Sequence, residues 1–265
     1  KAQIDLIVKD KNGNDLTIEA MNPAHMIYQC CVDRSWGRGM PRSYIDDTAF
    51  RKVADTLFDE KFGLCLGWKR QDTLDSFVQT ILDHIGGVMY VDKSTGKMTL
   101  KLIRQDYIRE NLPIFDMDSG LLSIEESSVS AGAETVNEVV VNWHDPISNQ
   151  DSAVREQNLA GIQTSGATFS KTNDYPGIPT PELAGRVAKR DLIYSTLPLR
   201  QFLIYCDRRA WKIQPGDVLR LQDPTRGQID IAVRVGIVND GTLLDGKIKI
   251  AAIEDVFTMP LNATA

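Results

Sequence analysis

The sequence contains no long apolar segment. Its longest hydrophobic stretch, Ile229 to Val238, is interrupted by Asp230 and Arg234, whereas a membrane-spanning helix needs about 20 apolar residues. No charged or apolar leader precedes the strand-like residues 3 to 8. We therefore expect a folded protein without a membrane span. The chain starts with Lys1 instead of Met, which is typical of a fragment of a longer protein.

Clustered basic charge is also missing. The net charge is -6 and the isoelectric point is near 5.2. Short basic groups such as Lys69-Arg70 and Arg208-Arg209 are separated by acidic or apolar residues. Because proteins that bind free nucleic acid neutralise phosphates with clustered Lys and Arg, this composition argues against specific nucleic-acid binding.

Metal-ligating and nucleophilic residues are few and scattered. Zinc needs three or four ligands at characteristic spacings, and no CxxC occurs among Cys30, Cys31, Cys65 and Cys206. The three histidines, His25, His84 and His144, lie in ordinary helix or strand patterns, and none is spaced to stack on a cysteine. The sequence therefore predicts no metal site and no cofactor, and it predicts free, mostly buried thiols.

Other motifs for chemistry are incomplete. Residues 10 to 15 resemble the start of a calcium loop, but Asp15 stands where glycine is needed and Met21 where glutamate is needed. Gly37-Arg38-Gly39 lacks the third glycine of a dinucleotide-binding loop. The adjacent carboxylates Asp46-Asp47, Glu125-Glu126 and Glu254-Asp255 do not form a pair that faces across a cleft. We predict no catalytic residues and no enzymatic activity.

The first half of the sequence has strong helix and hairpin signals. Residues 3 to 20 with the turn Asn12-Gly13 predict a β-hairpin. Helices are predicted to begin at Asn22-Pro23, at Asp46 or Asp47, and at Asp72, and the third is predicted to end at Gly86-Gly87. A strand over 64 to 68 and a hairpin over 88 to 103 complete this part.

The second half predicts mostly strands. In residues 229 to 237 apolar and polar residues alternate, so that one face lies in a core. A helix over 181 to 197 begins at Thr180-Pro181-Glu182. Residues 145 to 179 are rich in Ser, Thr, Asn, Gly and Pro and predict a long, partly mobile loop. The predicted strands cover 121 to 125, 136 to 143, 199 to 206, 217 to 222, 229 to 238 and 247 to 254.

These elements predict an α+β fold. Residues 1 to 21 and 119 to 258 form an antiparallel β-barrel or sandwich that carries the one long helix. Residues 22 to 118 form an inserted small α/β domain, and residues 259 to 265 form a tail. Exposed strand edges must be paired or covered, and an oligomeric ring is one way to do so.

Two stretches resemble a known family. Asn22-Pro23-Ala24-His25-Met26-Ile27-Tyr28, Trp36-Gly37-Arg38-Gly39-Met40-Pro41 and Asp46-Asp47 with Phe50 resemble phage tail proteins related to the tail-tip, host-specificity protein of lambda-like phages. Residues 208 to 218, Arg234-Val235-Gly236 and residues 241 to 257 are similar to the ending of the same family's tail proteins. The resemblance covers most of the chain and is weakest over residues 145 to 179.

This resemblance implies a structural component of a bacteriophage or prophage tail with a barrel like those of tail tubes. The implied role is the distal hub or tip, which closes the tail tube and takes part in host attachment and DNA delivery. The implied partners are further copies in a homotrimer and other tail proteins, with DNA only in transit. The implied location is the virion tail, after assembly in the bacterial cytoplasm. The family pattern supplies no site residues and no cofactor.

Two other functions are open at this point. A receptor- or glycan-contacting module of the tail tip exposes aromatic side chains on a groove, and the candidates are Trp36, Trp68, Trp143 and Trp211. A wall-degrading hydrolase needs two carboxylates that converge in a cleft and have perturbed pKa values.

Overall fold

The computed structural model describes residues 2–9, 13–68, 72–127, 136–197, 199–223, 229–242 and 244–258. Helices and strands are both abundant, which confirms the α+β class. The described residues fall into two compact units. The first unit lies within Lys1–Val91, Lys97–Leu102 and Thr135–Thr196, and the second within Asp92–Gly96, Ile103–Glu134 and Leu197–Ala265.

The described elements have the following bounds. The helices are α1 Pro23–Val32, α2 Asp47–Asp59, α3 Leu74–Ile85, α4 Leu159–Ser165 and α5 Pro181–Thr196. The strands are β1 Gln3–Lys9, β2 Asp15–Met21, β3 Gly87–Val91, β4 Met98–Leu102, β5 Ile114–Phe115, β6 Leu121–Ser127, β7 Glu138–Asp145, β8 Gln150–Gln157, β9 Ser170–Tyr175, β10 Gln201–Cys206, β11 Val218–Asp223, β12 Ile229–Asn239 and β13 Ile248–Glu254.

Side-chain caps define where the first three helices begin. The Asn22 carboxamide oxygen accepts from the Ala24 N–H at the start of α1, and Pro23 occupies the first turn. Asp46 caps α2, as the sequence predicted. The cap of α3 is Thr73, which accepts from the Ser76 N–H, and not the predicted Asp72. The threonine lies one residue closer to the first amide groups that need an acceptor.

The first unit has one core shared by its helices, two hairpins and a three-stranded sheet. The hairpin strands are β1 with β2 and β3 with β4, and the sheet has the order β8-β7-β9. Helix α5 packs on β7 and β8. Buried side chains from every one of these parts belong to the same cluster, including Ile4, Ile27, Leu57, Ile81, Leu100, Val141 and Val187.

The second unit is built around a six-stranded sheet with the order β5-β11-β12-β13-β10-β6. The sheet curls as a half-barrel, and all its pairs are antiparallel except β5 with β11. Alternate residues point to one face, where Ile204, Leu221, Val233 and Ile250 are buried. A β-bulge between Val235 and Ile237 bends β12 locally.

The structure differs from the predicted organisation in three places. The N-terminal hairpin, β7 and α5, which the sequence assigned to the β-barrel domain, pack with the helices of the first unit. Residues 145 to 179 are not a structureless loop, because they contain β8, α4 and β9. Residues 64 to 68 form only a bridge from Leu64 to Met21 and no strand. The predicted turn at Asn12 and tail at 259 to 265 lie outside the described residues.

Candidate interaction surfaces

The Trp36-Gly37-Arg38-Gly39 motif forms a loop that closes over the C-terminal end of α1. The Asp33 carboxylate accepts hydrogen bonds from the N–H groups of Ser35 and Trp36, which holds its pKa below the ordinary value. The Arg38 N–H donates to the Cys30 carbonyl at 2.9 Å. A Cβ on Gly37 would lie 2.7 Å from the Cys30 carbonyl oxygen, so only glycine fits this approach. The loop is therefore rigidly tied to the helix.

This loop brings two of the four tryptophans together. The ring centroids of Trp36 and Trp68 are 5.9 Å apart with an interplanar angle of 35°. Trp36 is 39% exposed, and the Trp68 indole N–H donates to the Asp72 carbonyl. Nearby, Arg38 forms an ion pair with Asp75. The result is a half-exposed aromatic surface beside a charged pair.

The other two tryptophans do not join this surface. Trp143 is buried at the end of β7, and its indole N–H has no hydrogen-bond partner among the described residues. Trp211 lies in the second unit, where its ring is half-exposed and contacts the Lys212 ammonium. Of the four tryptophans that the sequence offers as candidates for an aromatic groove, Trp36 and Trp68 form the one pair in contact among the described residues.

A pocket of about 440 Å³ lies between α1 and α2 and is lined in part by residues of the family motifs. The Tyr28 hydroxyl donates to the Asp47 carboxylate at 2.9 Å, and the Tyr28 ring meets the Phe50 ring edge-on. Burial lowers the pKa of His25, which keeps its imidazole neutral at pH 7. The charges that line the pocket balance, with Arg42 and Arg51 against Asp47 and Asp55.

His84 is buried in a hydrogen-bonded network and is not available as a base. Its Nδ1 lies 2.7 Å from the Thr80 carbonyl, which assigns the proton to Nδ1, and Nε2 accepts from the Gly177 N–H at 3.1 Å. The guanidinium of Arg190 donates to the His84 carbonyl, and the Tyr175 ring packs edge-on against the imidazole. Burial lowers the pKa of His84. The network ties α3, β9 and α5 together.

In the second unit, two arginines of the Arg208-Arg209 motif hold loops in place. Arg209 pairs with Asp207 and donates to the Asp118 carbonyl, while Arg208 donates to the carbonyls of Asp240 and Thr242. The Asp207 carboxylate also lies 2.5 Å from where a Cβ on Gly120 would stand, so this glycine is needed for the close approach. These motif residues act on the backbone and leave no cation free to bind a ligand.

The outer face of the six-stranded sheet is partly apolar. The register places Glu125, Leu203, Ala251 and Ile237 opposite one another in one row across four neighbouring strands. Ile237 is 73% exposed, and Ile253 on the same face is also exposed. Within the described residues, the outermost strands β5 and β6 each pair on one side only. The two edges meet at one end, because only residues 116 to 120 separate β5 from β6 and the Leu121 N–H donates to the Asp116 carbonyl at 2.9 Å. Beyond Leu121, β6 has no strand on its outer side within the described residues.

The described residues offer no cluster for a metal ion. They include no group of three or more His, Cys, Asp or Glu that could hold a metal ion. The one histidine that contacts a carboxylate is His144, whose Nδ1 lies 2.8 Å from Asp151 on an exposed strand pair. Over the same described ranges, no helix is long and apolar enough to cross a bilayer.

Comparison with known proteins defines the class. Residues 74–236 match a protein family described as "Putative phage tail protein", and this match covers more than half of the chain. The chain therefore belongs to this phage tail protein family. It is a structural protein of the phage tail. A search of curated protein sequences gave no match.

A solved structure of a virion particle shares the fold. A chain in the virion of the native gene transfer agent (GTA) particle is 15% identical with a TM-score of 0.55, and the match covers 73% of this chain and 42% of that chain. The chain thus spans less than half of this relative. A tail protein from Neisseria meningitidis MC58 is 12% identical with a TM-score of 0.46, covering 73% of this chain and 58% of that chain.

Proposed function

We propose that this protein forms part of the distal hub or tip of a phage tail, where copies of the chain close the end of the tail tube as a homotrimer. In this role it contacts other tail proteins, takes part in host attachment and delimits the channel through which DNA leaves. The observation that carries the proposal is the curled six-stranded sheet of the second unit, with its partly apolar outer face.

The outer side of β6 supports assembly with further copies. Among the described residues this strand pairs with β10 alone, and its unpaired backbone N–H and C=O groups are stabilised when a neighbouring strand pairs with them. If β6 of one copy pairs with a strand of the next copy, repetition about a symmetry axis closes a ring.

The exposed apolar row supports the same conclusion. Ile237 and Ile253 lie on the outer face of the sheet, where a monomer would leave them in water. Burial of an isoleucine side chain contributes about 1.5 to 3 kcal/mol. A subunit or tube protein that covers this face is therefore held more tightly by the burial of both side chains.

The negative charge of the chain fits the passage of DNA. With a net charge of -6, a channel formed by this protein repels an anionic duplex weakly and does not hold it by phosphate contacts. We expect DNA to be in transit only.

The mass of the chain in solution tests the proposal. Light scattering across a concentration series is expected to show a species of three times the chain mass that grows with concentration. A strict monomer at all concentrations would contradict self-assembly of this chain and would favour the alternative below.

The alternative function is contact with a glycan receptor of the host, and the Trp36–Trp68 pair favours it. Aromatic rings beside charged groups offer apolar and hydrogen-bonding surface to a sugar. Titration of purified host-surface glycans, followed by tryptophan fluorescence of the chain and of its Trp36→Ala variant, separates the two functions. A response in the chain that the variant lacks supports glycan contact.

A wall-degrading activity is the third candidate and is tested by zymography on peptidoglycan. A zone of clearing would establish it. Absence of clearing with the intact chain would remove it.

A further inference from the structure

A cleft of about 680 Å³ in the first unit follows the open edge of β1. Five consecutive residues of this strand, Asp5 to Lys9, line the cleft, and the start of α5 with Ile147 forms the facing wall. Successive side chains of a strand point to opposite faces. Because residues of both faces line the cleft, the edge of the strand borders it.

This edge has no strand beside it in the described part of the chain. Strand β1 pairs with β2 alone, over the full length from Gln3 to Lys9. Every second residue of β1 therefore directs its N–H and C=O groups toward the cleft. Open edges of this kind are the surfaces to which extended peptides add as a further strand.

Apolar side chains stand exposed along the same edge. Ile7 is 71% exposed and Ile147 is 50% exposed. An added strand would cover the two isoleucines.

The outward side chains of β1 determine which charges on an incoming strand are favourable. Asp5, Ile7 and Lys9 form a row that is acidic, apolar and basic along one face. Directly opposed residues of antiparallel strands contact one another, and opposite charges stabilise such a pair while like charges destabilise it.

We infer that β1 receives an extended segment of another tail polypeptide as an antiparallel strand, with a basic residue opposite Asp5, an apolar residue opposite Ile7 and an acidic residue opposite Lys9. This partner site belongs to the first unit and does not depend on the proposed ring of the second unit.

Fluorescent peptides with the intact chain test the inference. The probe has the order Glu-Thr-Val-Thr-Lys, with a threonine added at each end, and the reversed probe has the order Lys-Thr-Val-Thr-Glu. Fluorescence anisotropy is expected to show binding of the first probe about tenfold tighter than of the second, because two cross-strand ion pairs become two like-charge pairs. A probe with proline in place of valine is expected not to bind, since proline cannot donate to the ladder.

Variants of the chain separate this site from other surfaces. Ile7→Lys is expected to abolish probe binding, whereas Ile237→Lys, an equally exposed isoleucine on a strand of the second unit, is expected to retain it. The double variant Asp5→Lys with Lys9→Glu is expected to exchange the preference between the two probes. Amide hydrogen exchange of β1 is expected to slow when the first probe is bound.

Three results would overturn the inference. They are no rise in anisotropy with the first probe, equal binding by the chain and its Ile7→Lys variant, and protection of β1 amides by an increase in protein concentration alone. The last result would identify a second copy of the chain as the occupant. None of these results tests the proposed ring of the second unit. That ring is tested separately, by the mass of the chain in solution and by the effect of Ile237→Lys on that mass.

Discussion

Arg234 and Asp255 form a buried ion pair in the second unit, with 2.7 Å between the Arg234 Nη2 and Asp255 Oδ2 atoms. The two side chains are 8% and 2% exposed. The same guanidinium donates to the carbonyls of Gly216 and Arg104 and lies against the Phe257 ring. The pair joins β12 to the residue that follows β13. The family motifs Arg234-Val235-Gly236 and Glu254-Asp255 thus meet at one structural contact.

Removal of one partner of this pair is expected to be strongly destabilising. Asp255→Ala leaves a buried guanidinium without its counter-ion, which costs about 3 to 5 kcal/mol of the free energy of unfolding. Urea unfolding, with hydrogen exchange of β12 and β13 as the local readout, measures the loss.

The control for this variant is Asp230→Ala. Asp230 also pairs with an arginine, Arg220, through two hydrogen bonds, but both side chains are partly exposed. Because solvent screens that pair, its loss is expected to cost about 1 kcal/mol or less. Equal losses in the two variants would contradict the assignment of burial as the cause.

His84 is expected to make the stability of the first unit depend on pH. The folded-state pKa lies below the ordinary value of 6.5 because of burial. The hydrogen bond to the Thr80 carbonyl opposes this shift, the Arg190 guanidinium acts in the same direction as burial, and Asp83 opposes it. The unfolded chain therefore binds more protons between these two values. Stability is complete above pH 6.5 and is lost as the pH falls toward the folded-state pKa, by at most about 1.4 kcal/mol per pH unit.

Urea unfolding at pH 7.5, 6.0 and 5.0 measures this slope, and His84→Gln is expected to reduce it. His144 gives the matched control, because its Asp151 partner raises its pKa and its contribution is therefore lost as the pH rises. His144→Gln is expected to leave the fall below pH 6.5 in place. His25, whose pKa is also lowered, is kept in all variants. An unchanged slope in His84→Gln would assign the effect to other groups.

Two glycine-to-alanine changes are expected to shift the free energy of unfolding in opposite directions. Gly37→Ala places a Cβ 2.7 Å from the Cys30 carbonyl oxygen and 2.9 Å from that of Asp33, so backbone must move. We expect a loss of about 1 to 3 kcal/mol. Gly185→Ala in α5 meets only Val154, at 3.9 Å, and is expected to gain about 0.5 to 1 kcal/mol from its helix propensity. Thermal and urea unfolding of both variants measures the two signs, and a loss in Gly185→Ala would contradict the open environment of that position.

The sequence predicted elements well wherever one face of an element is buried. The apolar spacing of α2 reflects a face that packs in a core, and this helix lies where the sequence places it. Strand β12 also covers the predicted residues, but its alternation fails in part: Ala232 and Arg234 are buried, and Ile237 is exposed because it follows a β-bulge. Strand β8 was missed for the converse reason. Its residues Gln150–Gln157 are mostly exposed, so no alternation marks it, and it forms because β7 offers an edge to pair with.

Contacts between distant segments could not be predicted from local patterns. The N-terminal hairpin has the alternation of any half-buried sheet, which does not say whether helices or strands cover its apolar face. In the structure Ile4 and Ile18 pack in the core of the first unit. The Trp36–Trp68 contact and the open cleft along β1 likewise depend on tertiary packing, and periodicity carries no information about them.

Ile237→Lys is expected to weaken self-association of the chain. Ile237 lies at one end of the row on the outer sheet face and is 73% exposed, so a subunit that covers this row buries the isoleucine and would have to bury a lysine in the variant. The lost apolar burial alone corresponds to at least about a tenfold weaker dissociation constant. Light scattering across the same concentration series measures the shift.

The matched control for this variant is Ile7→Lys, which changes an equally exposed isoleucine of the first unit and is expected to leave association unchanged. Urea unfolding of both variants is expected to match that of the parent chain, because neither side chain is buried within its own unit. If both variants associate as the parent chain does, the outer face of the sheet is not the contact between copies. The outer side of β6 would then carry the assembly, because a strand pairs there through its backbone whatever side chains the outer face presents.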